Sequence, residues 1–337
     1  MNDKLLRALP FQVIEYPGGV LLKRGVNQIS ISVENALEMV LIILTATSGR
    51  SSSQTNIVNQ FPLPFRDQVQ RLTDELIRKN FLVTNIEGES VIDEDNFDVF
   101  HWQMGKDTVT AIAKIVDQKV SIIGVNSLSL KIKDGLREMG VENVTLVDDP
   151  LLREMTSQMT AISIEEWKNS YAKECKTVLA TIPYGGQALL LRWNQFCVEN
   201  NIHFLPVFLQ DMVGYIGPLV IPRETACLEC LRTRQNSHLI NAPLARMAED
   251  HACEGQSIAS IHPAMLNVLA GMAVLELSHF YSDFAKPRIG ALIKMNFLNG
   301  LFETKVVLKI PRCSTCSEFQ TTAEIKKVKL TQMDLGS

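Results

Sequence analysis

The chain has 337 residues, 46% hydrophobic and 21% charged, with a formal net charge of −4. That composition fits two or three globular domains and gives no reason to expect nucleic acid as the main partner. Met1 to Pro10 is too polar for a signal peptide, and the most apolar stretches, Met39–Ala46 and Ala264–Leu277, fall short of the roughly 20 residues that span a bilayer.

Residues Phe11–Tyr16, Val20–Lys23 and Asn27–Val33 read as short strands, with Gly18–Gly19 and Arg24–Gly25 turning between them. Ser32 or Glu34 then starts a helix with Ala36, Leu37, Val40, Leu41 and Leu44 on one face, ended near Gly49. Ser51–Ser53 caps a second short helix through Val58. Pro64 opens a third, Phe65–Lys79, whose apolar stripe is Val69, Leu72, Leu76 and Ile77. Phe81–Thr84 and Ser90–Ile92 form a hairpin around Glu87–Gly88. Together these describe a winged helix-turn-helix over residues 1–95. On its third helix Arg66, Arg71, Arg78 and Lys79 are nearly cancelled by Asp67, Asp74 and Glu75, whereas a DNA reader shows a basic stripe. Peptide binding is the better reading: an added strand on the small sheet, with apolar side chains against the third helix. Simple core packing is the competing role of Val69, Leu72 and Leu76.

From residue 105 to 337 the pattern is α/β. Val120–Ile123, Gly124, a helix Ser127–Met139 and a strand Val144–Val147 ending in Asp148–Asp149 begin a doubly wound nucleotide-binding-type fold. Thr177–Thr181, the helix Gln187–Glu199 and His203–Leu209 extend one parallel sheet by right-handed crossovers. A turn-rich Gly214–Pro222 stretch follows, then a long polar excursion, Arg232–Gly255. An apolar helix Pro263–Phe280 and antiparallel strands Gly290–Leu298 and Leu301–Ile310 close the domain.

Two CxxC pairs, Cys227–Cys230 and Cys313–Cys316, stand roughly 80 residues apart, the spacing of a four-cysteine structural zinc site. Four thiolates leave no open position, so a zinc ion held there supports the fold and does no chemistry. Two redox dithiols are the alternative. Seven cysteines without a secretory signal point to a reducing, cytoplasmic location. Cys175 and Cys197 read as core residues, and His238, His262 and His279 lack ligand spacing.

The order strand–Gly–helix–strand–Asp, then Gly214–Tyr215–Ile216–Gly217–Pro218 through Thr225–Ala226–Cys227, then a terminal CxxC, resembles the ThiF/MoeB-like relatives of ubiquitin-activating enzymes. With a winged helix in front, the chain looks most like the leader-peptide-binding partner proteins of thiazole/oxazole-modified peptide biosynthesis. The resemblance implies a scaffold that captures a precursor's leader segment, delivers it to a YcaO-type cyclodehydratase and works as a homodimer. Peptide contacts are then expected from Ile29 and Ile31 on the edge strand and from Arg71 and Leu76 on the third helix.

Active members of the wider family bind ATP and adenylate a carboxyl terminus, which needs backbone amides near the phosphates and a carboxylate for magnesium. Here only Gly124 survives of a G-x-G-x-x-G, and Val178–Pro183 ends a strand with no acid. Arg153 could take a phosphate-contacting place, and Asp148 either a ribose-binding place or a turn-capping one. The expectation is a degenerate nucleotide site. The enzymatic alternative is ATP-dependent adenylation of a peptide with Cys253 as acyl acceptor, activated by His251.

Overall fold

The computed structural model describes residues 5–48, 52–84, 113–154, 161–184, 186–253, 261–282 and 288–317. The chain divides into two compact units, Met1–Ala111 and Ile112–Ser337.

In the first unit, β1 (Leu5–Ala8), β5 (Ser52–Ser53) and β6 (Leu82–Thr84) form one antiparallel sheet, while β2 (Gln12–Tyr16), β3 (Gly19–Arg24) and β4 (Asn27–Ile31) form another. Among the described residues this unit also has the helices α1 (Ala36–Thr47), α2 (Gln54–Asn59) and α3 (Arg66–Arg78). β3 and β4 alternate inward and outward, so Val20, Leu22, Ile29 and Ile31 enter a core with Met39, Val40, Ile43, Ile57, Val69, Leu76 and Phe81. Ser53 caps α2 by accepting from Asn56 N at 3.2 Å. β1 was not legible in its polar surroundings, and it, rather than a following strand, is the described partner of β6. The expected second hairpin strand, Ser90–Ile92, lies outside the described residues.

The second unit is built on an eight-stranded sheet. β7 (Lys119–Ile123), β8 (Asn143–Asp148), β9 (Ile162–Ser163), β10 (Thr177–Ile182) and β11 (His203–Gln210) run parallel, whereas β12 (Val213–Ile216), β13 (Ala291–Asn296) and β14 (Leu301–Val306) continue antiparallel. The order β14-β13-β12-β11-β10-β7-β8-β9 reverses between β10 and β7, the topological switch point where such folds bind ligands. Its helices are α4 (Ser127–Glu138), α5 (Ile164–Ser170), α6 (Gln187–Glu199), α7 (Leu228–Ser237), α8 (Ala242–Cys253) and α9 (Pro263–Tyr281).

Two expectations are corrected. The stretch read as turns contains β12, which Gly217 follows at φ 93; a side chain there would meet Ala291 O at 2.6 Å, so the chain can pass β13 only as glycine. The polar excursion is mostly helix. α7 and α8 escape a periodicity reading because they bury few apolar residues and are tied by polar bonds, among them an Arg232–Glu249 ion pair at 2.9 Å. α9 is long and apolar enough to span a membrane by length and composition alone, but Met265, Leu266, Leu269, Ala270, Ala273 and Leu277 are buried in the same core as Leu128, Ile132 and Leu136 of α4.

Candidate functional site

The turn from β7 into α4 is where a nucleotide's phosphates would sit in this fold class. Gly124 holds φ +105, and an added Cβ would press on Asn126 Nδ2, Thr181 O and Leu152 Cβ at 2.9–3.1 Å. Close approach is thus required here by the chain itself. Asn126 is fully buried and is the N-cap of α4: its carboxamide oxygen accepts from Ser129 N at 2.9 Å, and Ser129 Oγ accepts from Asn126 N at 3.0 Å. Its Nδ2 donates to Leu152 O, Thr181 O and Thr181 Oγ1 at 3.0–3.2 Å. The side chain bridges β10, the loop after β8 and the helix start.

One further donor of α4 is also taken. Glu154 Oε2 accepts from Ser127 N at 3.1 Å and from Ser127 Oγ at 2.8 Å, while its other oxygen accepts from Tyr184 Oη at 2.8 Å. The positive end of a helix dipole draws anions, and here a carboxylate of the same chain supplies the charge. That carboxylate, accepting its hydrogen bond, holds the Tyr184 phenol above its ordinary value.

Arg153 donates from Nε to Asp148 Oδ1 at 2.8 Å and pairs with Asp148 Oδ2 through its terminal nitrogen. The hydrogen bond to Asp148 raises the guanidinium's pKa. The two sequence-predicted nucleotide contacts therefore engage each other. The acid beside them, Asp149, is buried, accepts from Trp193 Nε1 at 2.7 Å and pairs with Arg192. β10 ends at Ile182 with Thr181 buried inside the Asn126 network, so among the described residues this strand end offers magnesium no carboxylate. Glu154, Thr181 and Tyr184 were missed in the sequence, since neither their spacing nor a motif ties them to Asn126.

The four cysteines converge. Cys227 precedes α7, Cys230 lies on it, and Cys313 and Cys316 come from the segment after β14; all four are buried. Their sulfurs lie within 4.8 Å of one another, with Cys227–Cys313 at 3.6 Å, Cys230–Cys316 at 3.5 Å and Cys227–Cys230 at 3.9 Å. A tetrahedron with bonds of about 2.3 Å puts its sulfurs about 3.8 Å apart, so this cluster could hold a metal ion. Ile310 N donates to Cys230 Sγ at 3.4 Å, a contact that steadies a thiolate. The neighbouring thiols, Cys227 first, pull Cys230 well below its ordinary pKa, and the same crowding pushes Cys227 far above its own.

Cys175 and Cys197 are buried, and burial raises both thiols. Cys253 ends α8, but its side chain lies outside the described residues. His262 is a helix cap, its Nδ1 accepting from Ala264 N at 3.2 Å. In the first unit, Ile29, Ile31 and Leu76 are core residues, whereas Arg71 is exposed. The outward residues of β4 are Gln28 and Ser30, and Lys79 Nζ donates to Gln28 O at 3.1 Å.

No family model and no curated protein matches the chain. Solved structures do. E. coli MccB with MccA matches with a TM-score of 0.68 at 15% identity, over 93% of this chain and 100% of that one. E. coli MccB with AMPCPP and MccA gives 0.67 at 15%, over 93% and 99%. The heterocyclase TruD gives 0.63 at 17% over 93% of this chain, which spans only 43% of that longer one. At these identities the likeness is one of fold: the chain has a mixed-sheet α/β fold of the ThiF-like kind, in the form seen in MccB and the heterocyclase.

Proposed function

We propose that this chain is a cytoplasmic scaffold that binds the leader segment of a ribosomally made precursor peptide and delivers it to a YcaO-type cyclodehydratase, which it activates. One observation supports the reading: donors at the start of α4 that a phosphate would use are taken by Asn126 and Glu154, which favours a turn that does not serve ATP. The neighbours support a peptide ligand, since MccB is crystallised with MccA and a heterocyclase of the same fold with its substrate. Residues 1–95 form the recognition element, a winged helix-turn-helix, and residues 105–337 the ThiF-like part, closed by zinc at Cys227, Cys230, Cys313 and Cys316. The leader adds a strand along β4, meeting its backbone with Gln28, Ser30 and Arg71, while Ile29, Ile31 and Leu76 form the floor beneath. Tethering holds the core peptide at about millimolar local concentration beside the catalyst. The scaffold works as a homodimer.

Fluorescence polarisation tests this with the leader encoded by a short Cys/Ser/Thr-rich reading frame beside the gene, against duplex DNA. Saturable leader binding without DNA binding is expected; salt-sensitive DNA binding alone sinks the proposal. The second reading, peptide adenylation with Cys253 as acyl acceptor, is favoured by the AMPCPP in one MccB structure. Peptide-dependent pyrophosphate exchange by the purified chain, with transfer abolished by Cys253→Ala, would establish it in place of the scaffold.

A further inference from the structure

The eight-stranded sheet ends on β14, whose outer edge pairs with nothing among the described residues. Val307 N donates to Gly290 O at 2.9 Å, and the register continues as Val306 opposite Ala291. Odd-numbered residues of this strand therefore bond to β13, and Phe302, Thr304 and Val306 turn their N–H and C=O groups to the free edge. The edge is apolar as well as open. Phe302 is 58% and Val306 74% exposed, with Leu298, Leu301 and Leu308 exposed beside them. Proteins normally blunt such an edge with charge or cover it, and here the charges are Glu303 and Lys305, on either side of the polar Thr304.

We propose that β14 pairs antiparallel with β14 of a second copy of this chain, about a twofold axis through Thr304. Residues facing each other across a ladder must both present or both withhold their hydrogen-bonding groups, which restricts the axis to pass through a residue and not between two. Centred on Glu303, the pairing opposes two glutamates; centred on Lys305, it opposes two lysines. Centred on Thr304, it sets Glu303 against the second copy's lysine twice and Phe302 against valine twice, both favourable cross-strand pairs. Within one chain Glu303 and Lys305 pair with each other at 3.1 Å, on the same face of the strand. Dimerisation redirects that charge complementarity across the axis, and the isologous contact joins two eight-stranded sheets into one. This gives the homodimer of the proposed function an interface without depending on peptide capture: a chain that bound no leader would still dimerise this way.

The test is sedimentation velocity on the full chain over a concentration series, with circular dichroism as the control for folding. The wild type is expected to dimerise. Glu303→Lys and Lys305→Glu each place like charges opposite one another twice and are expected to weaken the dimer by about tenfold or more. Mixing the two variants restores opposite charges at both places, so a heterodimer forms, read by a fluorescent label on one chain. If either single variant fails to fold, the double exchange Glu303→Lys/Lys305→Glu keeps both pairs and dimerises like the wild type. A monomeric wild type, even one that binds a different protein at this edge, overturns the proposal. So do single variants that dimerise like the wild type, a mixture no stronger than its components, or a monomeric double exchange.

Discussion

The cysteine cluster and the β7–α4 turn lie in the same unit and treat their polar groups in opposite ways. The cluster keeps both its residues and its geometry: four buried sulfurs at distances of 3.5–3.9 Å. The turn has a glycine at positive φ leading into a helix N-terminus, and its donors go to Asn126 and Glu154. Exposed donors at a helix start can thus be satisfied by acceptors of the same chain without disturbing the fold. A clasp joining segments 86 positions apart has no such substitute.

The largest effect should follow loss of the clasp. Cys313→Ser, or a strong chelator, is expected to lower the melting temperature by at least about 10 °C, because structural zinc contributes folding free energy directly. Metal analysis should give one zinc per chain. A metal-free protein as stable as before would make the cysteines redox dithiols and dissolve the contrast.

Next comes the buried acid beside the turn. Asp149→Ala strands Trp193 Nε1 and removes the partner of Arg192, whose own side chain is 42% exposed and can rehydrate. The expected loss is about 2–3 kcal/mol in denaturant unfolding, the range for an unsatisfied buried group with a charged partner. A change below about 1 kcal/mol would mean the site relaxes and that Asp149 is not a strut.

Legibility follows the same divide. Residue type and spacing announce a four-cysteine group, so the convergence of these cysteines into a cluster that could hold a metal was readable from the chain alone. Four of the five parallel strands and α6 were readable because their apolar runs are local, whereas β9, two residues long, was not. The absence of the second and third glycines, at the places of Asn126 and Ser129, was visible in the sequence. The role of Glu154, which accepts from Ser127, was not, since the two lie 27 positions apart and no periodicity links them. α7 and α8 were hidden for a related reason: polar contacts such as Arg232–Glu249 hold them, and these form only after folding. The peptide contacts were drawn from the apolar pattern of β4 and α3, a pattern that also marks the core, and that is where Ile29, Ile31 and Leu76 lie.

Glu154→Ala sharpens the contrast at lower energy. It removes a cap from α4 and should cost about 1 kcal/mol. It should also return the Tyr184 phenol toward its ordinary value. The folded-state pKa is raised, so the hydrogen bond stabilises the fold fully below the ordinary value near 10 and is lost as pH rises through the folded value. Absorbance titration of the phenol reads this. A titration curve identical in the variant would show that Glu154 does not hold Tyr184, and with it that the carboxylate is not fixed on the helix.

The smallest effect belongs to Asp148, the acid that spacing nominates for a ribose. It and Arg153 form a solvent-facing pair, and such pairs contribute about 0–1 kcal/mol. Asp148→Asn should therefore leave stability almost unchanged. Equilibrium dialysis should find no ATP bound to either the wild type or the variant, because Asn126 and Glu154, and not the aspartate, hold the donors of the turn. ATP retained by the wild type and lost with Asp148→Asn would mean that the carboxylate at α4 yields to phosphate. The turn and the cluster would then both be working sites, and the contrast between them would fall.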